Sequence, residues 1–169
     1  MGGMSGPPKE THDHARHFDS LEQETFLNLW RTYDRLHVLE EELFGRYDLT
    51  PQQYNALRVL RGESDQKLAT LALASRLVSR APDITRLLDK LDERKLIERQ
   101  RPADNRRMVL IGLTAAGRDL LADLDSQVRA CHARQLGHLS EGRLRELVAL
   151  LEAARAPHED AGSHWLPGV

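Results

Sequence analysis

The chain has 169 residues, which is enough for one domain or for a small domain with an oligomerisation arm, and too few for two independent enzyme domains. Charged residues make up 30% of the sequence and aromatic residues only 5%, so the composition favours a helix-rich protein, mainly α or α+β, over a β-sandwich. The single cysteine, Cys131, excludes an internal disulfide and a cysteine-based zinc site, and it suits a reducing compartment.

The sequence has no segment with the features of a secretory signal or a membrane span. Residues 1–8 are rich in Gly and Pro and lack an apolar core, and no later apolar run approaches the length needed to cross a bilayer. We therefore expect a cytoplasmic protein with no membrane partner.

The net charge of −2 hides an uneven distribution of charge along the chain. Residues 76–107 contain ten Lys or Arg against six Asp or Glu, which leaves fourteen basic and twenty acidic residues elsewhere. A basic centre in an acidic protein predicts one surface that binds an anionic partner.

The chain begins and ends with segments that lack apolar periodicity, and we expect residues 1–17 to be a disordered tail and residues 156–169 a flexible one. Between them the apolar period is close to 3.6 almost throughout, which is typical of amphipathic helices. Ser20 and Gln23 predict a capping box at the start of a long first helix. A second start signal, Thr-Pro-x-Gln at 50–53, predicts a helix over residues 51–61 that Gly62 ends.

The middle of the chain predicts two more helices and a hairpin. A short helix covers about residues 68–77, and Ser79 caps a fourth helix that ends near residue 95. Two segments of strand character follow, at 97–101 and 108–113, and the basic turn at 102–107 joins them. Two helices and a two-stranded ribbon form the layout of a winged helix-turn-helix, whose second helix enters the major groove of DNA.

Two long helices complete the predicted fold. Thr114 and Ser140 are their expected N-caps, and regularly spaced leucines line one side of each helix.

Three segments in this order resemble the MarR family of bacterial regulators. They are Leu-Thr-Pro-Gln-Gln-Tyr at 49–54, Ile-Thr-Arg-Leu-Leu-Asp at 84–89, and Asn-Arg-Arg-Met-Val-Leu-Ile-Gly-Leu-Thr-Ala-Ala-Gly at 105–117. The resemblance implies a homodimer with a winged helix-turn-helix lobe at residues 49–113 and a helical dimerisation region made of residues 18–48 and 114–155. It also implies a pocket between the two regions for a small-molecule effector that weakens DNA binding. We expect a transcriptional regulator, and more specifically a repressor, on a pseudo-palindromic double-stranded operator, with no enzymatic activity and no cofactor.

The resemblance also assigns side chains to DNA. It places the recognition helix at residues 79–95 and the wing-tip arginine at Arg107, seven residues before Thr114. The predicted DNA-binding residues are Ser79, Arg80, Asp83, Thr85, Arg86, Lys90, Arg106 and Arg107.

The chain departs from the family pattern at two positions. Asn105 stands where the family usually has Asp, which leaves the wing geometry open, although Asp104 is adjacent. Lys95 stands where Gly commonly ends the recognition helix, so a left-handed cap there is expected to be strained or absent.

Some of these charges have simpler explanations. Arg80, Arg86 and Lys90 are also compatible with a solvated helix face. Asp83 fits two roles, since an acid in the first turn favours the helix dipole and a carboxylate can accept a hydrogen bond from cytosine in the major groove. We favour the first role.

Four side chains are candidates for the effector pocket. Trp30, Tyr33 and His37 share one side of the first helix at spacings of three and four, and Tyr54 follows in the second helix. Packing at the dimer or lobe interface is the simpler interpretation. The alternative is the wall of a pocket for an aromatic or amphipathic small molecule.

Metal and redox chemistry find little support in the sequence. His12, His14 and His17 would form only a weak, open site in a tail without cysteine, so we expect no metal. Cys131 falls on an apolar helix face, where an inert thiol is the default, and a redox-sensing regulator that uses it is an alternative hypothesis.

The sequence contains no phosphate-binding loop, no nucleophile elbow and no metal-ligand pair of histidines at i, i+4, so no motif in it indicates an enzyme. The more serious rival is a helical dimeric scaffold or adaptor that has lost DNA binding. Such a scaffold has no need of Arg106 and Arg107 at the tip of a hairpin.

Overall fold

The structure, a computed structural model, describes residues 18–63, 67–79, 83–105 and 107–159. In chain order the described elements are α1 (Leu21–Gly45), α2 (Pro51–Gly62), β1 (Leu68–Ala69), α3 (Thr70–Ser75), α4 (Ile84–Glu93), β2 (Ile97–Gln100), β3 (Leu110–Leu113), α5 (Ala115–Leu136), α6 (Glu141–Arg155) and a 3-10 turn (Ala156–His158). No helix within these ranges has the length and apolar character needed to span a membrane. The chain divides into two compact units, one that ends at Arg35 and one that begins at Leu36.

The first unit contains the N-terminal part of α1. Helix α1 starts where the sequence predicts, because Ser20 Oγ accepts a hydrogen bond from the backbone N–H of Gln23 at 3.2 Å. The Gln23 side chain reaches one residue further back than in a standard capping box, since its Oε1 accepts from the N–H of Asp19 at 2.7 Å. Large apolar side chains on this part of α1 are exposed, namely Leu21, Phe26, Leu29, Trp30 and Tyr33.

The second unit has a leucine-rich core to which α2, α3, α4, the sheet and α5 all contribute. The most deeply buried large side chains among the described residues are Leu57, Leu60, Leu73, Leu88, Leu91, Ile97, Ile111, Leu121 and Leu124. Since burial of apolar area is the main favourable term in folding, this cluster fixes the positions of the surrounding helices and strands.

The sheet has three antiparallel strands in the order β1-β3-β2, whereas the sequence predicted a two-stranded wing. Leu68 pairs with Ile111, and Ile97 pairs with Leu113. Strand β1 takes the first two residues of the segment predicted as a helix at 68–77, and α3 is correspondingly shorter than predicted. A strand of two residues has no visible alternation, so only its pairing with the free edge of β3 identifies it.

Polar caps fix the starts of three helices of the second unit, as predicted. Thr50 and Gln53 form a complete capping box at α2. Thr114 Oγ1 accepts from the N–H of Gly117 at 3.1 Å at the start of α5. At the start of α6, the Ser140 side chain accepts a hydrogen bond from the N–H of Arg143.

The predicted N-terminal tail at residues 1–17 lies outside the described residues, and so do residues 160–169. The flexible tail at residues 156–169 stays a prediction, and in its first residues Ala156–His158 follows α6 as a 3-10 turn. An ion pair between Arg155 and Glu159, 3.0 Å from Nε to Oε1, spans this turn.

Candidate nucleic-acid interface

Helix α4, the predicted recognition helix, begins at Ile84. Asp83 is its N-cap, and Asp83 Oδ1 accepts from the backbone N–H of Arg86 at 2.9 Å. The prediction that Ser79 caps this helix is therefore wrong: Ser79 is an exposed residue in a bend before it. Ser and Asp are both good N-caps, so the sequence offered two starts and only the structure distinguishes them.

The exposed face of α4 carries three of the predicted DNA-binding side chains, those of Thr85, Arg86 and Lys90. The opposite face packs Leu87, Leu88 and Leu91 into the core. Contact of the exposed side chains with DNA stays a prediction, as does contact by Ser79, and Arg80 lies outside the described residues. Asp83 Oδ1 is engaged in the cap, which agrees with a role at the helix start, and contact of Asp83 with cytosine stays a prediction.

The wing is the hairpin formed by β2, β3 and the segment between them. The backbone N–H of Asn105 donates to the carbonyl of Pro102 at 3.2 Å, and the N–H of Met108 donates to the carbonyl of Asn105 at 3.1 Å. Two successive backbone turns thus meet at Asn105, and neither needs an Asp side chain at that position. Arg107 is exposed beside these turns, and Arg106 lies outside the described residues.

Contacts from α2 hold the segment that follows α3. Asn55 Oδ1 accepts from the backbone N–H of Val78 at 3.0 Å. Two residues before Val78, Arg76 pairs with Glu63, the residue that follows α2. These contacts attach the end of α3 to α2, which fixes the point from which the chain continues toward α4.

The end of α4 has a left-handed cap at Lys95, with φ of 57°. The N–H of Leu96 donates to the carbonyl of Leu91 at 3.0 Å, and the N–H of Lys95 donates to that of Asp92 at 2.8 Å. These bonds form a complete Schellman motif, which usually has Gly at the left-handed position. Of the two outcomes expected here, a strained cap or no cap, the structure has the strained cap.

Arg99, which joins the wing to α4, is a site residue that was not predicted. Arg99 Nη2 lies 2.6 Å from Asp89 Oδ1, and Arg99 Nε lies 3.7 Å from Asp92 Oδ2. The spacing of three between the two aspartates and the alternation along β2 were the available signals. They show which residues share a face, but not which face of the strand packs on the helix.

The four candidate pocket residues fall in both units. Trp30 and Tyr33 belong to the first unit, where their side chains are 62% and 61% exposed. His37 and Tyr54 belong to the second unit and are half-buried. His37 lies 3.4 Å from Glu41, and the Tyr54 ring stacks on Phe44 with centroids 4.4 Å apart. A role of these residues in effector binding stays a prediction.

The environment of Cys131 is that of a buried thiol. Cys131 is 6% exposed on the core-facing side of α5, and burial, with Glu40 as a smaller cause, raises its pKa. This shift disfavours the reactive thiolate. Within the described ranges there is no cluster of three or more His, Cys, Asp or Glu side chains suited to a metal, and His12, His14 and His17 lie outside those ranges.

A helix-turn-helix followed by a β-hairpin, with exposed arginines on the second helix and on the hairpin, defines a winged helix-turn-helix DNA-binding protein. The family model described as MarR family matches residues 49–109. A crystal structure of a MarR transcription factor from Planctomyces limnophilus is 54% identical to this chain, covers 81% of it and 99% of its own length, and has a TM-score of 0.65. The chain belongs to the MarR family of transcriptional regulators.

Two more distant structures share the fold. Bordetella bronchiseptica BpsR, whose DNA binding is regulated by 6-hydroxynicotinic acid, is 20% identical over 82% of this chain and 97% of its own, with a TM-score of 0.72. A mutant MarR from E. coli complexed with operator DNA is 22% identical over 80% of this chain and 98% of its own, with a TM-score of 0.70.

Proposed function

We propose that this regulator is a homodimeric repressor that binds a pseudo-palindromic DNA operator in the cytoplasm and is released from it by a small-molecule effector. The observation that carries the proposal is the placement of Arg86 on the exposed face of α4 and of Arg107 on the wing of the same unit. In this fold the helix is suited to the major groove and the wing to the narrower minor groove. The E. coli protein of the same fold, seen with operator DNA, supports this use of the fold.

Exposed apolar surface supports the homodimer. The N-terminal part of α1 exposes Phe26 and Trp30, whose rings contact each other at a centroid distance of 6.2 Å. Helix α6 buries none of its residues and exposes Val148 and Leu150. Exposed large apolar side chains of this kind on a small protein favour an interaction site, and a second copy of the chain is the simplest occupant.

The effector is proposed to be an aromatic or amphipathic molecule, and His37 and Tyr54, both half-buried in the second unit, are its proposed contacts. Tyr54 lies on α2, and the neighbouring Arg61 of that helix binds Asp125 of α5 through Nη1 at 2.9 and 3.1 Å. A ligand that shifts α2 would therefore act on both the DNA-binding lobe and α5. The regulation of BpsR by 6-hydroxynicotinic acid gives a precedent within the fold for an aromatic effector.

The proposal is tested by selection of duplexes from a randomised DNA library with the purified protein, followed by sedimentation of the complex with the most enriched duplex. We expect an inverted repeat with half-sites about 10 base pairs apart and two chains bound per duplex. If no sequence is enriched, the scaffold hypothesis replaces the operator-binding one. A well-folded monomer at micromolar concentration would overturn the homodimer.

Effector binding is tested separately with the same complex. A library of aromatic carboxylates and amphipathic amines is screened for release of the selected duplex. The compound that releases the wild-type complex should fail on Tyr54→Ala, while Asn28→Ala, on the exposed surface of the same α1 that carries Trp30, should respond normally. Equal release from both variants would remove Tyr54 from the pocket.

A further inference from the structure

Helix α4 carries more acid than base, although it is the helix proposed to approach DNA. Residues 83–93 contain four acidic side chains and two basic ones, within a region, 76–107, that is basic as a whole. The positive charge of the region therefore comes from residues that flank the helix. Bare carboxylates on this helix would repel DNA phosphates and weaken binding.

Four of the five charged side chains of α4 are separated into two flanks of the exposed surface, and Glu93 falls between them. Successive residues of an α-helix turn by about 100°, which places Asp89 and Asp92 on one flank and Arg86 and Lys90 on the other. Asp92 also lies in the last turn of α4, near the negative end of the helix dipole, where an acidic side chain is unfavourable. The acidic flank thus needs positive charge from elsewhere.

Arg99 supplies that charge from the wing. Its Nη2 lies 2.6 Å from Asp89 Oδ1 and its Nε lies 3.7 Å from Asp92 Oδ2, so one guanidinium faces both carboxylates. The Arg99 side chain is 29% exposed, against 51% for Asp89 and 40% for Asp92. Because the arginine is partly covered, salt screens its ion pairs with the aspartates less than it would screen fully exposed pairs.

We propose that Arg99 is a positioning residue for DNA binding: it neutralises Asp89 and Asp92 and so lets the acidic flank of α4 approach the phosphate backbone. Arg99 acts on DNA through the two aspartates rather than by its own contact with a base. This role rests on the proposed function, since it presumes that α4 enters a groove.

Lys67, the residue before β1, provides a matched control because it contacts the face of β2 opposite to Arg99. Its Nζ lies 2.7 Å from Glu98 Oε1 and 2.9 Å from Gln100 Oε1, so its partners are on β2 rather than on α4. The Lys67 side chain reaches them across Gly112, where an added Cβ would lie 3.1 Å from Lys67 Cγ. Lys67→Gln therefore removes the same unit of charge and loosens the same strand without exposing an aspartate on α4.

The test compares Arg99→Gln, Lys67→Gln and the triple variant Arg99→Gln/Asp89→Asn/Asp92→Asn. Affinity is measured by fluorescence anisotropy at several salt concentrations, with the duplex selected by the wild-type protein and with a mixed-sequence duplex as probes. We expect Arg99→Gln to bind the selected duplex about tenfold more weakly at low salt and to recover toward wild-type affinity as salt screens the repulsion. We expect the triple variant to bind within about threefold of wild type, and Lys67→Gln likewise.

Three results would overturn the role of Arg99. They are an unchanged affinity of Arg99→Gln, a loss that is the same at every salt concentration, and a triple variant as weak as Arg99→Gln alone. If Arg99→Gln does not fold, as judged by circular dichroism, DNA affinity is measured instead for the variant Asp89→Asn/Asp92→Asn with Arg99 retained. It should bind at least as tightly as wild type, and tenfold weaker binding would contradict neutralisation. Failure of the wild-type protein to select any duplex would instead overturn the proposed function.

Discussion

The Arg94 guanidinium donates a hydrogen bond to the backbone carbonyl of Asp48, with 2.6 Å between Nη1 and the oxygen, and a second bond to the carbonyl of Tyr47 at 3.0 Å. Asp48, three residues after the end of α1, is left-handed with φ of 52°, and Lys95, next to Arg94 and two residues after the end of α4, is also left-handed. One arginine thus joins the C-terminal ends of two helices, where the helix dipoles favour positive charge.

Replacement of Lys95 by Gly should stabilise the protein. The left-handed conformation at φ of 57° is costly for a residue with a Cβ and free of that cost for glycine, although glycine loses more entropy on folding. We expect Lys95→Gly to raise the free energy of unfolding in urea by about 0.5–1 kcal/mol.

Glu93, two residues before Lys95, provides a control of opposite sign. It is the last residue of α4 and has an ordinary helical conformation, so Glu93→Gly should lower the free energy of unfolding by about 0.5–1 kcal/mol. A destabilised Lys95→Gly would show that the left-handed cap is not a source of strain.

Gly117, in the first turn of α5, should not tolerate a side chain. A Cβ there would lie 2.3 Å from the backbone carbonyl oxygen of Leu96 and 2.7 Å from Leu113 Cδ1, and the backbone atom cannot move aside cheaply. We expect Gly117→Ala to lower the free energy of unfolding by about 2 kcal/mol or more. In α6, a Cβ on Gly142 meets nothing within 4 Å, and Gly142→Ala should stabilise by roughly 0.5 kcal/mol. Equal effects of the two substitutions in thermal unfolding would refute this packing.

Cys131 should react slowly with alkylating agents. Its burial and raised pKa leave little exposed thiolate, so iodoacetamide at mildly alkaline pH should modify the folded protein at less than about one tenth of the rate in urea. Peroxide treatment should leave DNA binding by the wild-type protein and by Cys131→Ala unchanged. Release of DNA from the wild type alone would establish the redox-sensing alternative.

Tyr54 should make the protein less stable in alkali. Burial, opposed by the nearby charges of Arg58 and Arg61, raises the pKa of the phenol above its ordinary value. The folded state therefore favours the neutral phenol. Its contribution to stability is complete below the unfolded pKa of about 10 and is lost as the pH rises through the folded pKa.

This pH dependence is measured by urea unfolding at about pH 8 and about pH 10.5 in a Cys131→Ala background, which removes the thiol's own contribution. The free energy of unfolding should fall more for the protein with Tyr54 than for Tyr54→Phe, in which the stacking on Phe44 is retained. An identical fall in both proteins would mean that Tyr54 ionises as easily in the folded state as in the unfolded one.

Local signals in the sequence predicted most of the helices. Caps at Thr50, Thr114 and Ser140 lie where the structure has them, because an N-cap satisfies backbone donors within three residues. The start of α4 was misplaced at Ser79 for the same reason, since two residues with capping side chains precede that helix. Strand β1 was missed because the strand it pairs with, β3, lies about 40 residues further along the chain.

The candidate site was predicted less completely than the fold. Helical periodicity and the resemblance predicted three exposed side chains that the structure also exposes, those of Thr85, Arg86 and Arg107. Their contact with DNA stays a prediction. The pairing of Arg99 with Asp89 depends on how β2 packs against α4, and periodicity within one element does not contain that information.

Contacts with DNA should divide between α4 in the major groove and the wing in the minor groove. Affinity is measured for single-base variants of the selected operator at several salt concentrations, with Arg86→Ala, Arg107→Ala and, as an exposed control paired to Glu42, Arg46→Ala. Arg86→Ala should lose about 1–3 kcal/mol of discrimination at one or two base pairs, as expected for an arginine that reads a base edge. Arg107→Ala should weaken binding to all variants together and lower the salt slope by about one, while Arg46→Ala binds like wild type. An Arg107→Ala protein with unchanged affinity and salt slope would contradict the account, because the wing would then not touch DNA.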